Sequence, residues 1–197
     1  GYMMGYSMFD YLIEELMPIV YGWFPASNKR EDNFIAGLSM GARGCIKYAV
    51  NFPEKFAGAA ALSQIPTNLS NMTEEDFQGD DPFASRLRTS VINAGGLEKY
   101  VNSEENTWKI VDMLAGTGKL PKLFFACGKE DMLYQNYTNF KAHAKEIGLN
   151  TNGDSGIRLW KKHWIIFRLR SMRSALFKRK SKIERYHFLL FVKNKHT

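Results

Sequence analysis

The hydrophobic pattern of this chain changes period several times along its length. Over residues 8–24, Phe9, Leu12, Ile13, Leu16 and Ile19/Val20 recur at three- and four-residue spacing. That spacing predicts an amphipathic helix, with Pro18 kinking it or ending its interior hydrogen bonding. A polar loop follows at 27–32. Residues 33–38 read as a strand, and 40–51 return to a helical pattern that Asn51-Phe52-Pro53 stops. Phe56 to Leu62 is short, small and apolar, as a buried parallel strand would be. Residues 64–103 are polar and irregular, punctuated by Pro66, Pro82 and Gly95-Gly96, and read as an insertion over the top of a sheet. A helix at 104–116, a strand at 120–127 and a helix from Tyr134 to Ile147 complete the pattern. The alternation predicts an α/β fold, a parallel sheet with helices on both faces in three αβα layers. In such sheets functional groups gather at the carboxyl ends of the strands. Ser39 and Asp131 both fall there.

Composition adds limits. The 197 residues suit one domain, and 45% apolar content is enough for a core. No apolar run reaches the roughly 18 residues that a transmembrane helix needs. Cys45 and Cys127 sit in apolar segments without a C-x-x-C partner, so they read as two buried thiols. No His/Cys/Asp cluster has metal-ligand spacing, and no metal is expected. Charge divides the chain near Gly156. Residues 157–197 are crowded with Lys and Arg and hold one acid, Glu184, of the chain's 20. Two units are expected: residues 1–156 carrying the fold, and a basic tail at 157–197 that is out of frame or poorly structured. Taken at face value, the tail alternates bases with Trp160, Trp164, Phe167, Phe177, Tyr186 and Phe188, a composition that favours phosphates. It contains no recognised nucleic-acid motif, so no specific nucleic-acid partner is expected.

The candidate chemistry lies between the strand at 33–38 and the helix at 40–51. Gly37-Leu38-Ser39-Met40-Gly41 is a G-x-S-x-G pentapeptide in a strand–turn–helix setting, the context of a nucleophile elbow. Ser39 would be pushed out above the sheet. Gly37 and Gly41 would leave room for a turn that side chains would block. The backbone N–H of Met40, at the start of a helix, would donate to an oxyanion. An ordinary βα turn is the alternative. In the insertion, Phe77, Phe83 and Leu87 are candidates to line a pocket. His143, mid-helix in Lys-Ala-His-Ala-Lys, reads as a solvated surface residue.

Taken together, several segments resemble the esterase D / tributyrin esterase family. They are Tyr11-Leu-Ile-Glu-Glu-Leu16, the run from Lys29 to Gly41, Phe52-Pro-Glu-Lys-Phe56 with Ala61-Leu62-Ser63, and Ala126-Cys-Gly-Lys-Glu-Asp131-Met-Leu-Tyr134. That family comprises α/β-hydrolase serine esterases, including acetyl and feruloyl esterases of carbohydrate esterase family one and S-formylglutathione hydrolases. The resemblance implies a partial α/β-hydrolase fold and hydrolysis of short-chain acyl or aryl esters, acylated carbohydrates among them, through an acyl-enzyme without a cofactor. By position, Ser39 matches the nucleophile and Asp131 the acid that orients the histidine. Asp131 could instead cap the helix near Tyr134, and Glu130 is the fallback. His163 is the general-base candidate by position. Only His163-Trp164 keeps part of the Gly-x-His-x-Trp ending of the family. The family also has strands upstream of the equivalent of Tyr11, with a His-Gly-rich turn that gives a second oxyanion N–H. On this reading the chain is an N-terminally truncated fragment with an unpaired, apolar sheet edge. It is then an active esterase, an inactive fragment, or an enzyme that passes the acyl group to an alcohol.

Overall fold

A computed structural model of the chain describes residues 8–149 and 188–192. The first helical run is continuous but not uniform. It passes from α1 (Met8–Asp10) through a π-helical stretch (Tyr11–Leu16) into α2 (Met17–Trp23). Met17 N–H reaches back five residues to Leu12 O, so the wider turn comes immediately before Pro18. Pro18 therefore follows the point where the hydrogen-bond ladder has already widened.

Strand β1 (Asn33–Leu38) enters the elbow and α3 (Met40–Asn51) leaves it. Strand β2 (Gly58–Leu62) follows. The segment expected to be irregular is largely helical. It holds a 3-10 turn (Glu74–Phe77), α4 (Pro82–Ala94) and α5 (Leu97–Val101). Asp81 caps α4 by accepting from Phe83 N–H at 2.8 Å and Ala84 N–H at 3.1 Å, and Gly95 ends it at φ 85°. Pro82 in the first turn and glycine just past the end bracket a helix and do not break one. Helix α6 (Thr107–Leu114), β3 (Lys122–Ala126) and α7 (Tyr134–Glu146) complete the run.

Strands β1, β2 and β3 are parallel, as the alternation predicts. A fourth strand, β4 (Phe188–Val192), pairs antiparallel with β1, from Gly37 opposite Phe188 to Asn33 opposite Val192. The sheet order is β3-β2-β1-β4. The edge of β1 expected to be unpaired is therefore occupied, by residues from within the basic tail. That expectation is corrected because an apolar run, Phe-Leu-Leu-Phe-Val, lies inside a segment dominated by charge.

Register fixes which side chains face the helices. Ile35, Ala59 and Leu123 are neighbours, and so are Gly37, Ala61 and Phe125. All of these but Gly37 join Met17, Ile46, Val111 and Phe140 in one buried cluster, so the described helices that touch the sheet lie on this face. Phe34, on the opposite face, is 44% exposed. A third layer is not among the described residues. Leu69, Val91 and Tyr100 form a second, smaller core inside the 64–106 segment. Asn106 and Thr107 stitch the two ends of that segment together. The Asn106 side chain accepts from Leu69 N–H and donates to Val101 O, and Thr107 Oγ1 accepts from Thr67 N–H. Among the described residues no helix is long and apolar enough to cross a membrane.

His143 is not simply solvated. Its Nε2 lies 2.6 Å from Asp112 Oδ1, and its ring stacks on Trp108 at 4.8 Å. It joins α7 to α6. The two cysteines are free and buried. Burial pushes the Cys45 thiol up to about 12. Burial, helped by the Asp131 carboxylate, pushes Cys127 up to about 11. Neither forms appreciable thiolate at pH 8, and thiolate is the reactive species. The native protein should therefore leave an aromatic disulfide reagent unreacted at pH 8, with both thiols appearing on denaturation. A rapidly titrating thiol in the folded protein would contradict this burial.

Candidate active site

The site begins with backbone strain. Ser39 has φ 54° and ψ −119°, a conformation that side chains rarely adopt. Such strain persists only where the surroundings enforce it. Here β1 and β2 enforce it from one side, because Ser39 N–H donates to Leu62 O at 2.9 Å. The helix enforces it from the other, because Ser39 O accepts from Arg43 N–H at 3.1 Å. The turn is too tight for a side chain at position 37. A Cβ there would lie 2.4 Å from the Gly41 carbonyl carbon and 2.8 Å from Ala42 N. Ser39 is consequently exposed at the top of the sheet. Met40 turns its side chain outward, 61% exposed, and its N–H belongs to the first turn of α3, where donors lack helical acceptors.

Hydrogen bonds carry this geometry across the sheet. Leu38, Leu62 and Ala126 form its last paired row. The next row is Ser39, Ser63 and Cys127, and Ser63 N–H donates to Ala126 O at 2.7 Å. The loop that bears Asp131 thus rises two strand spacings, about 10 Å, from the elbow. Asp131 Oδ1 accepts from Leu133 N–H at 3.0 Å, and its carbonyl accepts from Tyr134 N–H at 2.9 Å. The carboxylate therefore fastens the turn that precedes α7 through one oxygen, and α7 itself, whose N-cap is Leu133, has no side-chain cap. Glu130 is exposed beside it.

Gly37, Ser39, Met40 and Gly41 come together as the pentapeptide predicts, and Asp131 shares their end of the sheet. His163 lies outside the described residues. The three pocket-lining candidates lie in or beside the 64–106 segment's own core. Phe77 and Leu87 pack against the small core of the 64–106 segment, and Phe83 is 73% exposed.

Two residues at this end escaped the sequence reading. Ser63 is the other non-glycine residue at positive φ (53°) among those described. Its position just past β2 was the only available signal. Tyr137, in the first turn of α7, is buried, and its hydroxyl has no partner among the described residues. Burial, then the neighbouring Cys127 and Tyr134, push that phenol up to about 12.

One charged group next to α3 is also displaced from its ordinary titration. Burial pushes the Glu105 carboxyl up, but Arg43 and Lys47 together outweigh it and hold it below its usual value of 4.5. A carboxyl depressed in the folded state stabilises the fold above its unfolded pKa. That contribution is lost as pH falls below about 4.5 and through the lower folded value. Acid unfolding of Glu105→Gln should therefore show a shallower loss of stability below pH 4.5 than the parent. Identical acid limbs in urea titrations at several pH values would refute the assignment.

Comparison with known proteins agrees with this geometry. Residues 2–116 match the family described as "Putative esterase". An acetyl esterase of Caldicellulosiruptor saccharolyticus is 26% identical over 144 residues, 72% of this chain and 53% of that protein. Among solved structures, FphF, a fluorophosphonate-binding serine hydrolase of Staphylococcus aureus, superimposes with a TM-score of 0.61 at 26% identity. That match covers 88% of this chain and 65% of the other. The S-formylglutathione hydrolase FrmB of the same organism gives 0.55 at 28% identity, over 86% and 61%. The chain thus spans between half and two thirds of the length of these relatives. Its parallel sheet and flanking helices are those of α/β-hydrolase esterases, and with more than half of its residues inside the match, the chain belongs to this esterase family.

Proposed function

We propose that this chain carries the nucleophile of a serine carboxylesterase acting on small esters, with short-chain acyl or aryl groups or acylated sugars as substrates. The carrying observation is the strained, exposed Ser39 at the junction of β1 and α3. Ser39 Oγ attacks the ester carbonyl carbon while His163 takes its proton, and Asp131 holds that histidine in the correct tautomer. Asp131 Oδ2 is the oxygen left for this task. The Met40 N–H donates to the tetrahedral oxyanion. Collapse breaks the bond to the alcohol oxygen, which leaves with the proton from the histidine. Water then gives a proton to the same histidine and attacks the acyl-serine, which releases the acid and restores Ser39. No cofactor enters these steps. The small acyl groups implied by the names of the acetyl esterase and S-formylglutathione hydrolase relatives support the short-chain reading.

The test is fluorophosphonate labelling of the purified chain, read by intact mass. One adduct is expected on the parent and none on Ser39→Ala. Folded protein that takes no adduct would overturn the reading for this chain and leave an inactive fragment of an esterase.

A further inference from the structure

A cluster of buried charge joins the nucleophile helix to the 64–106 segment. Arg43 and Lys47 stand one and two turns beyond Ser39 on the same side of α3, at four-residue spacing. Both reach one carboxylate. Arg43 Nη2 lies 3.1 Å from Glu105 Oε2, and Lys47 Nζ lies 2.8 Å from Glu105 Oε1. Lys47 Nζ also lies 3.2 Å from Glu104 Oε1 and 4.1 Å from the centre of the Phe9 ring. The side chains of Lys47 and Glu105 are 9% and 13% exposed, so this is no solvated surface pair. Asn51 Nδ2 adds a bond to Glu104 O. On the other side lies Tyr100, in the small core of the 64–106 segment, where burial raises the phenol's pKa and the charge of Arg43 offsets part of that rise.

The placement matters because of what each end holds. The segment leaves the sheet just past Leu62, the neighbour of Leu38 in register, so it starts beside Ser39. It has its own small core, separate from the main one. Its return turn, residues 102–106, is where Glu104 and Glu105 meet α3. Two cations on the nucleophile helix thus face two carboxylates on the segment, and buried pairs of this kind set geometry more than they add stability.

We propose that Arg43, Lys47 and Glu105 form a positioning clamp that sets where the 64–106 segment stands relative to Ser39, and so which acyl lengths reach the nucleophile. Glu105 acts through the segment and does not touch substrate. The acyl-length part rests on the reading of Ser39 as a nucleophile, whereas the clamp itself does not.

Hydrogen exchange of the full chain separates the two. In Glu105→Gln, amides of residues 64–101 should exchange about tenfold faster or more, while β2, β3 and α7 keep their rates. Uniform acceleration over the whole chain, or none, would overturn the clamp. Arg43→Gln keeps the Lys47 pair and serves if Glu105→Gln does not fold, with a smaller change expected in the same segment. In parallel, p-nitrophenyl esters from acetate to octanoate are compared. The ratio of kcat/KM between long and short esters should change severalfold in Glu105→Gln, mainly through KM, and return towards the parent in Glu105→Asp. A parent chain that turns over no ester defeats the esterase reading while the exchange result still decides the clamp. Turnover with an unchanged length profile defeats the positioning role.

Discussion

Replacing Ser39 with glycine is expected to raise stability by about 1 kcal/mol while abolishing reaction with a fluorophosphonate. The two effects share a cause. At φ 54° and ψ −119° the serine occupies a backbone region that costs a side chain roughly 1–3 kcal/mol and costs glycine little. Glycine returns part of that gain, about 0.5–1 kcal/mol, through the greater freedom of its unfolded chain. Ser39→Ala should lose the adduct equally but keep the strain, so its stability should match the parent. Ester turnover in both variants should fall by as much as 10⁶-fold, the scale seen when a serine nucleophile is removed. Urea unfolding and intact-mass labelling of the three proteins read both quantities. If Ser39→Gly proves less stable than Ser39→Ala, the strained elbow is not what holds Ser39 out.

Gly37→Ala should have a larger effect on folding than a methyl at Gly58, Gly79 or Gly95, each of which leaves more room. The new Cβ would meet three backbone atoms of Gly41 and Ala42 at 2.4–2.8 Å, and backbone cannot rotate away as a side chain can. Relief requires the first turn of α3 to move away from β1, which would break the Ser39 N–H bond to Leu62 O and displace the Met40 N–H. A loss of about 4 kcal/mol or more is expected, at the far end of single substitutions. Gly44→Ala is the internal control. It lies in the middle of the same helix, where a Cβ would meet nothing within 4 Å, so it should gain about 1 kcal/mol from helix propensity. The midpoint of chemical unfolding checks both. A loss under 1 kcal/mol for Gly37→Ala would mean that the turn is looser than this geometry.

Much of this was legible because local rules and the fold agree. The β1–turn–α3 unit shows itself through apolar spacing and two glycines, and β2, β3 and α7 through period and length. The helix at Pro82–Ala94 was missed although its signals were present. Proline opens helices as readily as it breaks them, and only the Asp81 cap distinguishes the two. Strand β4 was missed for a different reason. Its pairing with β1 is a contact between opposite ends of the chain, and no local pattern reports such a partner. The Arg43–Glu105–Lys47 cluster and the bond from His143 to Asp112 share that blindness, because a charge on a helix looks solvated until its distant partner is placed. Asp131 lay between two readings, and its bond to Leu133 N–H ties the turn before α7 without capping that helix. Its second task depends on a histidine beyond the described residues.

The antiparallel pairing of β4 on β1 also orders events in time. During synthesis β1, β2, β3 and the helices between them are all made before Phe188 emerges. Among the described residues, the outer edge of the nucleophile strand has no partner until then, and an open, apolar edge is the feature that recruits other chains. A nascent chain or a product ending before residue 188 would present that edge, and its tendency to associate would be a property of synthesis and not of the finished fold. The strand that closes the sheet is also the one whose contacts are farthest apart in sequence, and such contacts are the slowest to form. Solubility should therefore depend on how soon β4 arrives, which makes this strand a determinant of yield before it is one of stability.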